Sequence, residues 1–174
     1  MFKQDQDTIN KLILLFVFDQ MEIGLSENTI IDMCTSSNGW LDYITCREAL
    51  RKLIDETFVY NVASYGDPLY QITPEGRFCL AEFYVNIPTS TRESIANFVK
   101  TNRMRYRRKQ ECVADYYMNK DSTYTVFLKI HDTTKPLLEL KFNVSDRQTA
   151  KNIYKKWEEK ASNVYAILFD NLID

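Results

Sequence analysis

The chain has 174 residues, of which 45% are hydrophobic and 13% aromatic, a composition typical of a folded protein. Its longest apolar run has seven residues (12–18), which is too short for a membrane span. Because its first residues also lack the pattern of a secretory signal, we expect a cytoplasmic protein that does not enter a membrane.

Charge is distributed unevenly along the chain. Residues 1–87 contain 6 basic and 13 acidic residues, residues 88–110 contain 7 and 1, and residues 111–174 contain 9 and 10. A basic segment therefore separates an acidic region from a nearly neutral one.

Two helices are predicted at the start of the chain. Residues 7–20 have a helical pattern with Asp7 as the predicted N-cap. This helix is apolar on every side, so we expect burial by its own domain on one face and by a second domain or a partner subunit on the other. Ser26 is the predicted N-cap of the second helix. Residues 36–44 then form a connection longer than the usual turn of a helix-turn-helix.

A third predicted helix begins at Thr45. Thr45 and Glu48 have the spacing of a capping box, in which each side chain satisfies a backbone amide at a helix start. Ala49 and Leu50 fall on the apolar face of this helix. The basic residues on its polar face are Arg47, Arg51 and Lys52. In a major groove, such side chains meet base edges or phosphates.

A β-hairpin is predicted directly after this helix. Strand patterns occur at residues 58–63 and 69–72, with a turn at 65–68. Thr73 as N-cap and Pro74 at the first helical position predict the start of a fourth helix. Helix, hairpin and helix in this order are typical of the second half of a winged helix-turn-helix.

The junction between the hairpin and the fourth helix resembles that of a known group of proteins. Residues 72–77 read Ile-Thr-Pro-Glu-Gly-Arg. This run resembles the strand, Thr, x, Glu, Gly, Arg junction of the PadR-like and MarR-like bacterial regulators. The resemblance implies a winged helix-turn-helix that binds DNA and regulates transcription.

A basic helix is predicted to follow this domain. Ser90 and Glu93 have the spacing of another capping box, and the helix extends to about residue 108. Its basic block consists of Lys100, Arg103, Arg105, Arg107, Arg108 and Lys109. The block could lie along DNA phosphates beside the third helix. Alternatively, it is a solvated helix end whose cations complement the helix dipole.

The last third of the chain is predicted to be a three-stranded meander covered by a long helix. The strands fall at residues 112–118, 123–131 and 137–144, and residues 145–148 cap the terminal helix. The apolar residues in register along this helix are Ala150, Ile153, Trp157, Ala161, Val164, Leu168 and Leu172. The order of winged helix, basic helix, meander and terminal helix resembles a bacterial family with a provisional label as transcriptional regulators.

The sequence therefore predicts an α+β protein in three parts. These are a winged helix-turn-helix domain at residues 1–87, a basic linker helix at 88–110, and a meander with a C-terminal helix at 111–174. We expect a homodimer, because two-fold symmetry matches two half-sites on DNA. The first and last helices also carry more apolar surface than one chain needs.

The predicted function is binding of double-stranded DNA by a transcriptional regulator, and one alternative stays open. The candidate DNA-binding residues are Thr45, Arg47, Arg51, Lys52, Lys100, Arg103, Arg105, Arg107, Arg108 and Lys109. Against this function, residues 53–76 contain no basic residue, whereas DNA affinity depends on neutralising phosphates. The alternative is a winged-helix module that contacts another protein and does not bind DNA. The sequence identifies no operator and no effector ligand.

An enzymatic activity is not expected. The single histidine, His131, falls on the predicted polar face of a strand, so we expect it to be exposed. No two cysteines have the C-x-x-C spacing of a metal or redox site, and no glycine run forms a phosphate-binding loop. The four cysteines are predicted to be reduced thiols, mostly in the core: Cys34, Cys46, Cys79 and Cys112. We therefore expect no cofactor and no metal site.

Overall fold

In the residues that the structure describes, the protein is an α+β molecule with two small antiparallel sheets, as the sequence predicts at the level of fold class. The computed structural model describes residues 2–62, 67–132 and 135–173. Residues 63–66, which include the first half of the predicted hairpin turn at 65–68, lie outside the described residues. The chain divides into two compact units, Met1–Arg103 and Met104–Asp174. Each unit is described by itself.

The first unit is mainly helical, with one small sheet. Its elements in chain order are α1 (Phe2–Met21), β1 (Leu25–Ser26), α2 (Glu27–Cys34), α3 (Tyr43–Asp55), β2 (Val59–Val62), β3 (Leu69–Ile72), α4 (Pro74–Phe83), a 3-10 helix (Tyr84–Asn86) and the first part of α5 (Thr89–Glu111). The strands form an antiparallel sheet in the order β1-β3-β2. Leu25 pairs with Tyr70, and Val59 pairs with Ile72.

The core of the first unit is built around α1. Every residue of the apolar run 12–18 is buried, and α1 packs against α3, α4 and β3. The predicted burial on more than one side is therefore confirmed. The burial comes from elements of the same unit. Residues 12–18 of α1 therefore leave no apolar face for a partner subunit.

The second unit is a meander covered by one helix. Its strands are β4 (Cys112–Met118), β5 (Tyr124–His131) and β6 (Pro136–Val144), and its helix is α6 (Arg147–Leu172). The antiparallel order is β4-β5-β6. All three predicted strands are thus confirmed to within one residue. A core cluster joins α6 to β5, and its buried members are Val126, Leu128, Ala150, Trp157 and Ala161.

Several predicted helix starts are confirmed by their cap geometry. Ser26 Oγ accepts a hydrogen bond from the amide of Thr29 at 3.2 Å. Thr73 Oγ1 accepts from the amide of Gly76 at 3.0 Å, with Pro74 as the first helical residue. The predicted capping segment 145–148 contains the N-cap of α6, which is Asp146; its side chain accepts from the amide of Thr149. Each side chain satisfies one backbone donor that has no partner within its own helix.

Three other predicted helix starts are wrong. Helix α1 begins at Phe2 rather than after Asp7, whose carboxylate instead accepts from Lys52. Helix α5 begins at Thr89, so Ser90 lies inside its first turn. Helix α3 begins at Tyr43, and its N-cap is Asp42. Thr45 is not the cap, because the Asp42 carboxylate accepts from both the amide and the hydroxyl of Thr45.

The end of α6 also differs from the prediction. A helix of 26 residues is roughly 39 Å long, whereas strands of 7–9 residues span roughly 23–31 Å. The helix is therefore longer than the sheet that it covers. Beyond Ala161 no described residue of α6 is buried, and Leu172, predicted to be in register with the core, is 77% exposed.

Candidate nucleic-acid interface

Helix α3 has a buried face and an exposed face, as predicted. Its buried side chains are Cys46, Ala49, Leu50 and Leu53. On the opposite face, Arg47 and Arg51 are exposed, as are Tyr43 (55%) and Ile44 (68%) in the first turn. The side chains that would meet a groove therefore include two apolar or aromatic ones besides the predicted arginines.

Each basic residue of α3 is paired with a carboxylate. Arg47 Nε lies 3.4 Å from Glu27 Oε1, at the start of α2. Arg51 Nε lies 3.8 Å from Asp55 Oδ2, one turn further along the same helix. These side chains are all about half exposed or more, and exposed ion pairs contribute little to stability because water screens them. Both arginines can therefore exchange their carboxylates for a phosphate or a base.

Two predicted site residues of α3, Thr45 and Lys52, bond to carboxylates near the ends of the helix. Lys52 Nζ donates to Asp7 Oδ1 at 2.8 Å, which joins the end of α3 to α1 and raises the pKa of Lys52. Thr45 is held by Asp42, and the two hydrogen bonds from Thr45 lower the pKa of the Asp42 carboxyl group. Thr45 and Lys52 therefore organise the ends of α3 rather than its exposed face.

The predicted basic block lies on α5 and is divided between the two units. Lys100 and Arg103 belong to the first unit, and the other four residues belong to the second. Arg103 Nη1 donates to Glu22 Oε2 at 2.7 Å. Arg107 Nε donates to Glu111 Oε1 at 2.7 Å, and this hydrogen bond raises the pKa of Arg107.

The block does not form one stripe along the helix. At 3.6 residues per turn, Lys100, Arg103 and Arg107 share a face, whereas the remaining residues point to other sides. A straight run of phosphates beside α5 would meet only part of the block.

Two features of the structure were not predicted from the sequence. Tyr43 and Ile44 fall in the predicted connecting segment; the signal that could have placed them on α3 is Asp42, a strong N-cap residue. Arg77 and Arg92 line one cleft in the first unit, and residues of α1 line the same cleft. No local pattern could have indicated that cleft, because its residues come from three separate helices.

The prediction that His131 is exposed is wrong: its exposed fraction is 9%, and burial, followed by the charge of Lys129, lowers its pKa. His131 ends the central strand, where the register with β6 shifts, so simple alternation does not apply. Across residues 2–62, 67–132 and 135–173, no group of three His, Cys, Asp or Glu residues could hold a metal ion.

All four cysteines are free thiols. Cys34 on α2 and Cys46 on α3 are buried, whereas the other two are half-buried. A hydrogen bond between the two buried thiols raises the pKa of Cys34 and lowers that of Cys46. This pair therefore joins α2 to α3 in the core.

A family model matches most of the chain. The family model described as Domain of unknown function (DUF4364) matches residues 10–172. No curated protein and no solved structure matches the chain. Within the described part of the chain, none of the helices has both the length and the apolar character needed to cross a membrane.

Proposed function

We propose that this chain, which belongs to the family described as Domain of unknown function (DUF4364), binds double-stranded DNA through a winged helix-turn-helix and regulates transcription as a homodimer. The observation that carries the proposal is the topology of the first unit. A helix, a strand, two helices and a hairpin follow one another, and the short β1 pairs with β3. The junction that resembles PadR-like and MarR-like regulators lies where β3 passes into α4.

The dimensions and exposure of α3 support a role in the major groove. The helix has 13 residues and presents a whole face to solvent. An α-helix with its side chains is about 10–12 Å wide, and the major groove is about 12 Å wide. Arg47 and Arg51 can bond guanine edges, while Ile44 can contact the methyl group of thymine.

A second candidate function is protein contact through α4. Phe78 and Phe83 are exposed on this helix and line an apolar cleft of about 490 Å3. Glu75 and Glu82 line the same cleft. An apolar surface with acidic neighbours suits a partner that presents apolar and basic side chains. The excess of acidic residues in residues 1–87 also favours this alternative over DNA.

We predict that the two groups of cations differ in their effect on DNA binding. On a site selected from random genomic fragments, Arg51→Ala should lower affinity by about 1–3 kcal/mol, with a much smaller effect on random DNA. The double change Arg107→Ala/Arg108→Ala should weaken binding to both DNAs equally. It should also lower the slope of log K against log salt concentration by roughly one unit for each phosphate that the variant no longer neutralises.

Fluorescence anisotropy over a range of salt concentrations measures both effects. Arg147→Ala is the matched control, because Arg147 is an exposed arginine at the start of α6 and belongs to neither group. If Arg47→Ala/Arg51→Ala binds the selected site as well as the natural sequence does, α3 is not the recognition helix. If no DNA is bound even at low salt, the protein-contact function replaces the DNA-binding one.

We predict that the homodimer uses the end of α6. Its last three turns expose Ile167 (53%), Phe169 and Leu172, and α1 offers no comparable face in residues 12–18. A specific interface buries about 800 Å2 on each partner. Light scattering should give the mass of a dimer at tens of micromolar for the natural sequence and a monomer for Phe169→Glu/Leu172→Glu.

A matched variant separates a disrupted interface from the effect of added charge. Ser162→Glu/Asn163→Glu adds two carboxylates at exposed polar positions of the same helix and should remain a dimer. A monomeric natural protein, or equal dissociation of both variants, would contradict this assignment.

A further inference from the structure

The two edges of the meander differ in how well they are protected. In the order β4-β5-β6, the central strand has a neighbour on both sides, whereas β4 and β6 are the edge strands of this sheet. On β4, the amide of Tyr116 donates to the carboxylate of Asp115 at 2.7 Å, so a side chain takes up one backbone donor of that strand. Helix α6 also packs more on β4 and β5 than on β6. The less protected edge is therefore β6.

Strand β6 is long, and none of its residues is buried. It has nine residues, and its single proline, Pro136, stands at the first position, where a missing backbone donor matters least. On the face that α6 covers, Leu138 and Leu140 are only half-buried and Phe142 is 40% exposed. An exposed edge strand with apolar side chains is a site at which another chain can add a strand.

The geometry of antiparallel pairing limits how β6 can pair with a second copy of itself. Directly opposed residues lie on the same face of a sheet, so the two-fold axis must pass through a residue and not between two residues. An axis at Glu139 would place two glutamates opposite each other, and an axis at Lys141 would do the same with two lysines. Like charges in directly opposed positions are destabilising.

An axis at Leu140 fits the sequence of the strand. Leu140 is the middle residue of β6, so this register pairs the strand over its whole length. It places Glu139 opposite Lys141 on one face of the sheet, and Leu138 opposite Phe142 on the other. Opposite charges and apolar pairs in directly opposed positions each stabilise a sheet. The edge of β6 is therefore complementary to itself in one register.

Both charged side chains are accessible to a second copy. Glu139 Oε1 lies 2.7 Å from Lys129 Nζ on β5, and the Glu139 side chain is 48% exposed. Lys141 Nζ lies 5.8 Å from the centre of the Tyr117 ring, and a hydrogen bond from Lys141 lowers the pKa of Tyr117. Exposed contacts of this kind rearrange at little cost, because water screens them. In a joined sheet, the Glu139 carboxylate lies between Lys129 of its own chain and Lys141 of the second copy.

We propose that β6 pairs with β6 of a second copy, in the register centred on Leu140, to form one continuous six-stranded sheet. The pairing adds about six to eight backbone hydrogen bonds and covers the half-buried apolar side chains of β6. This contact is separate from the one predicted at the end of α6, and it does not depend on DNA binding.

The contact between two β6 strands should be weak. One strand edge is smaller than a specific interface of standard size, which buries about 800 Å2 on each partner. We therefore expect a dissociation constant on the order of hundreds of micromolar. At tens of micromolar the contact at the end of α6 then determines the mass, and the sheet contact links homodimers only at higher concentrations.

The test uses the full chain with Phe169→Glu/Leu172→Glu as the parent, in which the contact at the end of α6 is disrupted. Sedimentation equilibrium up to about 1 mM should show reversible dimer formation by this parent. Glu139→Lys and Lys141→Glu, each added to the parent, place like charges opposite each other and should weaken association at least about fivefold. An equal mixture of the two variants restores opposite charges in a heterodimer, which should form at least as readily as the parent dimer.

A matched control and a second measurement identify the contact. Glu159→Lys makes the same change of charge at an exposed position of α6 and should associate as the parent does. On association, hydrogen exchange should slow at alternate amides of β6 and at none of β4. Circular dichroism checks that each variant is folded. If the parent remains monomeric, if Glu139→Lys and Lys141→Glu associate as the parent does, or if their mixture does not restore association, the proposal is overturned.

Discussion

Trp157→Ala is expected to lower the free energy of unfolding of the second unit by about 3–5 kcal/mol. The Trp157 side chain is 3% exposed and belongs to the core cluster formed by α6 and β5. Its indole Nε1 donates to the backbone oxygen of Lys129 at 3.0 Å. The substitution therefore removes the largest side chain of this core, leaves a cavity, and removes the hydrogen bond from the indole to Lys129.

This decrease should be a large part of the free energy of unfolding of the second unit. The second unit spans Met104–Asp174, a size at which one apolar core provides only a few kcal/mol of stability. Urea unfolding followed by circular dichroism is the suitable measurement. Fluorescence is not, because removal of Trp157 leaves Trp40, in the first unit, as the only tryptophan of the chain.

Trp157→Phe separates the two contributions of the indole ring. It keeps an aromatic ring in the core but cannot donate to Lys129, so a smaller decrease of about 1–2 kcal/mol is expected. If the alanine and phenylalanine variants were equally stable, the ring would not fill the core. If both matched the natural sequence, α6 would not be the cover of this sheet.

The parts of the fold that the sequence predicts well depend on local spacing. The strands of the meander follow from alternation, and Ala150, Trp157 and Ala161 follow from helical periodicity. Correctly predicted caps place their donor and acceptor only three residues apart. The predicted cap of α3 is wrong. Asp42 and Thr45 are both good N-cap residues and are themselves three residues apart, so the sequence alone does not show which of them is the cap. Only the geometry shows that the Asp42 carboxylate accepts both hydrogen bonds from Thr45.

The candidate interface could be predicted only in outline. Helical periodicity places Arg47 and Arg51 on the exposed face of α3, and the structure agrees. The partners of Arg47 and Lys52 could not be predicted, because Glu27 and Asp7 come from other helices. Under the proposed function, the Arg47–Glu27 pair must open before Arg47 binds a phosphate or a base, whereas the Lys52–Asp7 pair joins α3 to α1.

Gly76→Ala is expected to destabilise the first unit by about 3 kcal/mol, at the upper end of the range for overpacking. A Cβ atom at Gly76 would lie 2.4 Å from the backbone oxygen of Phe58 and 2.9 Å from Cγ1 of Ile72. The backbone of Phe58 cannot easily move. Its oxygen accepts from the amide of Thr73 at 3.0 Å, and its amide donates to the oxygen of Leu53 at 2.9 Å.

This close approach explains why glycine stands in the Ile-Thr-Pro-Glu-Gly-Arg junction. Helix α4 starts so close to the entry of β2 that no side chain fits between them. Gly76 thus positions the hairpin against α4, and it has no need to touch DNA. Where Gly76→Ala reduces DNA binding, the reduction should follow the folded fraction of the protein and should disappear at temperatures where the variant is fully folded.

Gly39→Ala is the matched glycine control. At Gly39 a Cβ atom would have open space, with its nearest neighbour at 3.9 Å, but φ is +65°. The cost there is the left-handed backbone alone, about 1–2 kcal/mol. Thermal unfolding should therefore rank Gly76→Ala as less stable than Gly39→Ala, and Glu75→Ala, at an exposed position beside Gly76, as close to the natural sequence. The reverse order for the two glycines would mean that backbone conformation, and not the close approach of α4 to Phe58, determines the residue in this junction.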